Sequence, residues 1–193
     1  GTTKNEPVEG VYQRCMFIVA LTNEFLKNIP NAPEGVDKER MAAEARFCRS
    51  LAYYILMDMF GIPPFITEEN WSIAPSQLPR TELFTWIENE LTSIRESLPI
   101  ARQGEYGRAD QAAVDALLAR MYLNATTYIG MERYTDCIAA CNRVIASGYQ
   151  LADDYAELFM ADNGENPRAN KEIIFPVLFD GQTTQSYGMA AVI

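Results

Sequence analysis

The chain runs to 193 residues, of which 48% are hydrophobic and 22% charged, the proportions of one folded domain rather than of a disordered segment. A fold of this size hides about 70% of the surface its unfolded chain exposes, enough for a continuous core. With 16 basic and 26 acidic residues the formal charge is -10, which argues against nucleic acid and anionic membranes as partners and suits a neutral ligand.

Apolar residues recur first at Val11, Cys15, Ile18, Val19, Thr22, Leu26 and Ile29, steps of three and four that draw one stripe along a helix. Pro7 suits its first turn and Pro30 ends it. A second helix is predicted over about 37–60, with Ala45, Cys48, Ala52, Ile55, Leu56 and Met59 as one face. Phe47, Leu51 and Tyr54 are also apolar, so most sides of this helix are expected to be buried. Gly61-Ile62-Pro63-Pro64 stops it, because proline cannot continue the hydrogen-bond ladder.

Residues 67–79 are polar and proline-containing, a loop with Trp71 in its middle. A third helix opens at Arg80-Thr81-Glu82 and is carried by Phe84, Ile87, Leu91, Ile94 and Leu98 as far as Pro99. Beyond a link from Gly104 to Gly107, a fourth uses Val114, Leu117, Leu118, Met121, Tyr122 and Ala125. A fifth uses Tyr134, Cys137, Ile138, Cys141, Val144 and Ile145, and stops at Ser147-Gly148. A short amphipathic piece (153–160) and a polar link lead to 173–179, which read as a strand. Pro176 would place that strand at a sheet edge or in an irregular extension. One strand buries no face alone, so its partners are expected outside this chain.

A faint repeat joins Glu44-Ala45-Arg46-Phe47-Cys48-Arg49 to Asp115-Ala116-Leu117-Leu118-Ala119-Arg120, 71 positions further on, close to two tetratricopeptide periods of about 34 residues. The predicted architecture is mainly α: antiparallel helix pairs of tetratricopeptide-like type in a single domain over 1–193. The pairs are expected over about 8–160, with an extended segment over about 171–193 and one short strand within it.

The residue inventory leaves little for catalysis. Histidine is absent, which removes Ser-His and Cys-His pairs and imidazole metal sites. Neither a Gly-x-x-x-x-Gly-Lys loop nor a Gly-x-Gly-x-x-Gly turn occurs. Glu68-Glu69 and Asp153-Asp154 are adjacent acids in polar segments, read as solvated charge rather than as the facing carboxylates of a glycosidase. Cys15, Cys48, Cys137 and Cys141 sit within apolar helical patterns and are read as buried thiols, with no disulfide pair named. No catalytic residue, metal ligand or cofactor is assigned.

The same helices carry a family resemblance. Residues 44–53 followed by Phe60-Gly61-Ile62-Pro63 resemble the signature helix and Gly-x-x-Pro exit of SusD/RagB-like outer-membrane nutrient-binding lipoproteins. Asn23-Glu24-Phe25-Leu26 looks like the helix before it, and Gly107-Arg108-Ala109 with 116–123 like a second signature. Ser147-Gly148-Tyr149-Gln150-Leu151, Leu158-Phe159 and 172–177 complete the order over nearly the whole chain. The resemblance implies a non-catalytic subunit at the cell surface, lipid-anchored to the outer membrane. Such a subunit captures a glycan or oligosaccharide, or a peptide, for a TonB-dependent SusC-like transporter. It also implies a longer protein, with the anchor and much of the ligand site outside this sequence. A tetratricopeptide-like scaffold for a protein partner is the alternative.

Ligand-binding candidates follow from side-chain chemistry. Trp71 in its polar loop offers an apolar face to the C–H side of a sugar; packing back on the helices or meeting the transporter are the other readings. Asp180, Gln182, Gln185 and Tyr187 mix hydrogen-bonding groups with an aromatic ring, as a sugar site requires, or form an ordinary exposed loop. Glu44, Arg46, Arg49, Arg108 and Arg120 lie in the signature segments, and Arg-carboxylate pairs between helices are expected to make them structural.

Overall fold

The computed structural model describes residues 6–70, 74–179, 181, 182 and 184. Helix α1 (Glu6–Asn28) carries Glu6 and Glu9 in its first turn and Lys27 in its last, each charge complementing the helix dipole. Helix α2 (Lys38–Phe60) begins where Asp37 accepts a hydrogen bond from the Arg40 N–H at 3.1 Å, a side-chain cap on an otherwise orphaned donor. Each of these helices is about 35 Å long. Their link, 29–37, spans at most about 30 Å, so the extensive α1–α2 contact requires an antiparallel pair.

At the end of α2, Gly61 has φ +81°, and an added Cβ would lie 2.9 Å from the Arg80 guanidinium. The positive φ is what favours glycine here, since the arginine tip can shift aside. The chain then forms β1 (Pro64–Phe65) and β2 (Ser76–Gln77), antiparallel with Pro64 opposite Gln77 and Phe65 opposite Ser76. Helix α3 (Arg80–Ile94) packs on α2 through Leu83, Phe84, Ile87, Leu91 and Ile94, all essentially inaccessible to solvent. Helix α4 (Gln111–Leu123) is capped by Asp110, which accepts from the Ala113 N–H at 2.9 Å. After the short α5 (Ala125–Ile129), α6 (Tyr134–Ile145) returns along α4. Ala140 is fully buried there, and the Cys137 thiol donates to the Ala119 carbonyl at 3.4 Å. The architecture is the mainly helical one read from the sequence.

Three details differ from the periodicity reading. On α2 the predicted Ala52 and Leu56 are buried together with Ala43, Phe47, Ser50, Tyr53, Tyr54 and Met57, whereas Ala45, Cys48 and Ile55 are partly buried and Met59 is half exposed. Neighbours on two sides, α1 and α3, bury most of the helix circumference and leave only the far end of the 45–59 stripe, Met59, half exposed. On α6 only Cys137 and Ala140 are buried; Ile138 is 61% and Ile145 75% exposed, and Cys141 lies at the surface. The helix has one main packing neighbour, α4, so half of its apolar periodicity has nothing to bury against among the described residues. The strand expected over 173–179 is irregular. Pro176 has no N–H to donate and no strand among the described residues lies beside it, so the segment is held by side chains. Phe175 meets Phe47 edge-on at 5.0 Å, and Leu178 fills the space in front of Gly107.

Candidate functional site

The loop between α2 and α3 is fixed at its base by several independent contacts. The two-residue β1–β2 pairing closes it. Beneath, Phe65, Tyr53 and Trp86 form a three-ring cluster with centroids 5.0–5.4 Å apart, geometry favourable for aromatic rings. The buried Tyr53 hydroxyl donates to the Ile66 carbonyl and accepts from the Ile66 N–H, both at 2.8 Å. Burial pushes this phenol up to about 12, against the opposing pull of the Ile66 hydrogen bond and the Arg49 charge. The Asn23 side-chain amide reaches from α1 to the same carbonyl at 3.0 Å. Further along, the Asn70 carboxamide oxygen accepts from the Thr67 N–H at 2.6 Å, turning the chain at the start of the loop's distal part.

Arg49 ties this loop to three helices. Its side chain is almost wholly buried, and its guanidinium donates to Asn23 of α1 at 2.7 Å, to Glu90 of α3 at 2.9 Å and to Glu68 of the loop. It also lies 5.2 Å from the centroid of Trp86, within range of a cation–π attraction. Arg46 holds Glu90 from the other side at 2.6 and 3.0 Å. Burial opposes the charge on Glu90, but hydrogen bonds from Arg46 and Arg49 outweigh it and hold the carboxyl below its ordinary value.

The remaining signature residues have different surroundings. Arg108 pairs with Glu44, joining the link before α4 to α2. Arg120 is exposed. Asp115 of the same helix is buried and pairs with Arg95 at 2.9 Å and Arg143 at 2.6 Å. Asp110 accepts from the Tyr149 hydroxyl at 2.8 Å. Glu68, read from the sequence as solvated charge, is an anchor. The sequence signal for it is Arg49 itself: an arginine inside an apolar helix requires carboxylates, although their positions are not local to it.

Of the ligand candidates, Trp71, Asp180, Gln185 and Tyr187 lie outside the described residues, and Gln182 is exposed. The segments bearing the two sets approach α2 from different sides. The loop is tied to Arg49 and Tyr53, whereas Phe175 packs on Phe47, roughly 120–160° around the helix from those positions.

Paired helices that brace a loop define a class of α-helical scaffold, and comparison with known proteins makes the class specific. The sequence profile of the SusD-like family, described as starch-binding and associating with the outer membrane, matches residues 2–123. The chain belongs to that family. It is 40% identical over 185 residues to the starch-binding protein SusD of Bacteroides thetaiotaomicron, covering 95% of this chain and 33% of that protein. Its fold is similar to that of a SusD-like protein from Bacteroides fragilis (TM-score 0.73, 26% identity, 89% of this chain and 33% of the other). It is also similar to a laminarin-binding SusD-like protein (TM-score 0.67, 25% identity, 81% and 34%). The chain spans about a third of the length of the curated relatives it matches.

Proposed function

We propose that this chain is the helical part of a cell-surface, lipid-anchored glycan-binding protein that captures neutral polysaccharide or oligosaccharide without cleaving it. In this reading it passes the ligand to a TonB-dependent SusC-like transporter in the outer membrane. The observation that carries the reading is the braced loop. Arg49, Tyr53 and Asn23 fix residues 66–68 just ahead of its distal part, and the β1–β2 pairing ties the returning arm at Ser76–Gln77, so an aromatic side chain at Trp71 would meet a sugar with little ordering cost. The similarity to starch- and laminarin-binding relatives supports the ligand class, as does an acidic chain without histidine. Asp180, Gln182, Gln185 and Tyr187 are the second candidate contact set.

Native affinity electrophoresis through gels containing starch, laminarin or xyloglucan tests this, with the eluted sugar sized afterwards. Retardation by a polysaccharide of unchanged length is the expected result. Shortened chains would make the protein an enzyme, and retardation unaltered in Trp71→Ala would remove the loop from the site.

A second reading, a tetratricopeptide-like scaffold for a protein partner, is favoured by one observation. Tyr134, Ile138 and Ile145 are exposed and fall within about 40° of one another around α6. If a partner binds there, Ile138→Lys with Ile145→Lys abolishes complex formation while polysaccharide retardation is unchanged.

A further inference from the structure

A polar cavity lies at the other end of α3 from the loop. It has a volume of about 180 Å³ and is bordered by Arg102, Glu105, Tyr106, Asp110, Tyr149 and Asn170. The 15 residues of α3, about 22 Å of helix, separate the Arg80 end beside the loop from the link that forms this notch.

Its floor is rigid. Asp110 is buried and accepts from the Ala113 N–H, the Arg102 N–H at 3.0 Å and the Tyr149 hydroxyl. Arg102 holds φ +62°, an uncommon conformation for a residue with a side chain. That backbone sets its guanidinium 5.4 Å from the Tyr149 ring, with Nη1 donating to the Lys171 carbonyl at 2.9 Å. No carboxylate among the described residues forms an ion pair with it, so Nε and Nη2 remain as donors. Asn170 gives its amide N–H to the Gly164 carbonyl at 3.2 Å and keeps its oxygen as an acceptor. Tyr106 packs its ring against Gly164, and its hydroxyl has no partner among the described residues.

The wall therefore offers donors at Arg102, acceptors at Asn170 and Glu105, and a hydroxyl at Tyr106 that serves as either. Vicinal sugar hydroxyls, each donor and acceptor at once, are matched by such a mixture. Charges of both signs border the notch, Arg102 and Arg108 against Glu105 and Asp110, which favours an uncharged ligand. The volume suits one ring, since it falls below the ~300 Å³ at which pockets for larger ligands begin. We propose that this notch is a separate carbohydrate subsite that takes a single neutral pyranose through adjacent hydroxyls. It stands on its own geometry and does not depend on Trp71.

The test is a titration of the ¹⁵N-labelled 193-residue chain with methyl β-D-glucopyranoside, followed by amide chemical shifts. Saturable shifts at Tyr106, Gly107 and Asn170 are expected, retained in Trp71→Ala and weakened roughly three- to tenfold in Tyr106→Phe, which removes one hydrogen bond and keeps the ring. Asn170→Ser is the second variant and weakens binding similarly. Absence of shifts at the notch, shifts unaffected by both notch variants, or shifts abolished by Trp71→Ala would each overturn the proposal. Equal shifts with sodium acetate would overturn its neutral ligand class.

Discussion

Replacing Arg49 by Met removes the junction of α1, α2, α3 and the loop while keeping a long apolar stem of similar reach. Three acceptors lose a donor, with unequal consequences. Asn23 is 5% exposed, so its oxygen is left buried without the 2.7 Å hydrogen bond. Glu90 keeps both bonds from Arg46, and Glu68 is exposed enough to hydrate. Breaking a buried pair by removing one partner costs about 3–5 kcal/mol. The retained Arg46–Glu90 bonds place this case near the lower figure, about 3 kcal/mol. For a chain of this size that corresponds to a melting temperature lower by roughly 6–12 °C. Urea unfolding followed by far-ultraviolet circular dichroism measures it, and Asn23→Ala in the same background should add less than it does alone. A loss below about 1 kcal/mol in Arg49→Met would refute the view that this cluster braces the loop.

Arg120→Ala should change stability by less than about 0.5 kcal/mol, because the side chain is exposed despite its place in a signature helix; the same urea titration checks it. Gly107→Ala should cost about 1–2 kcal/mol, since φ is +90° there and an added Cβ would run into Leu178. Tyr53 has its folded pKa raised to about 12 from 10, so its contribution is full below pH 10 and is lost as pH rises from 10 towards 12. Tyr53→Phe should flatten that part of the alkaline denaturation profile, although Tyr122, Tyr128 and Tyr149, also raised, keep some slope. On the acid side, Glu90 is depressed, so its stabilisation is present above the ordinary carboxylate range and is lost as pH falls through the lower folded value. Glu90→Gln should weaken the protein at pH 7 and make its stability less sensitive to acid below about pH 4.5.

Much of the fold was legible because its helices are bounded by local chemistry. Pro30, Asp37, Gly61, Pro79 and Asp110 stand at the ends of helices or their continuations, where capping and proline geometry act within a few residues. Stripe orientation was less legible wherever tertiary neighbours choose between apolar sides. Leu91 and Ile94 on α3 are buried as periodicity predicts, but Met59 and Ile138 are not. Periodicity reports what a helix could bury, and the available neighbours decide what it does. The irregular segment 173–179 shows the same limit, since β-forming side chains do not make a strand without a partner ladder. At the candidate site, Trp71 was visible as an aromatic in a polar loop. Its support was not, because Asn23, Glu68 and Glu90 lie 19 to 41 positions from Arg49 and meet it only through folding.

The central claim, that the braced loop carries a glycan contact, is tested most directly by tryptophan fluorescence. The chain holds two tryptophans, and Trp86 is packed behind Phe65 and Tyr53. Titrating maltoheptaose, laminarin oligosaccharide or xyloglucan oligosaccharide into the wild type should give a saturable emission change with at least one of them. The change should vanish in Trp71→Phe, whose fold is checked by circular dichroism. A saturable change of equal size in Trp71→Phe, or none with any glycan in the wild type, would contradict the account.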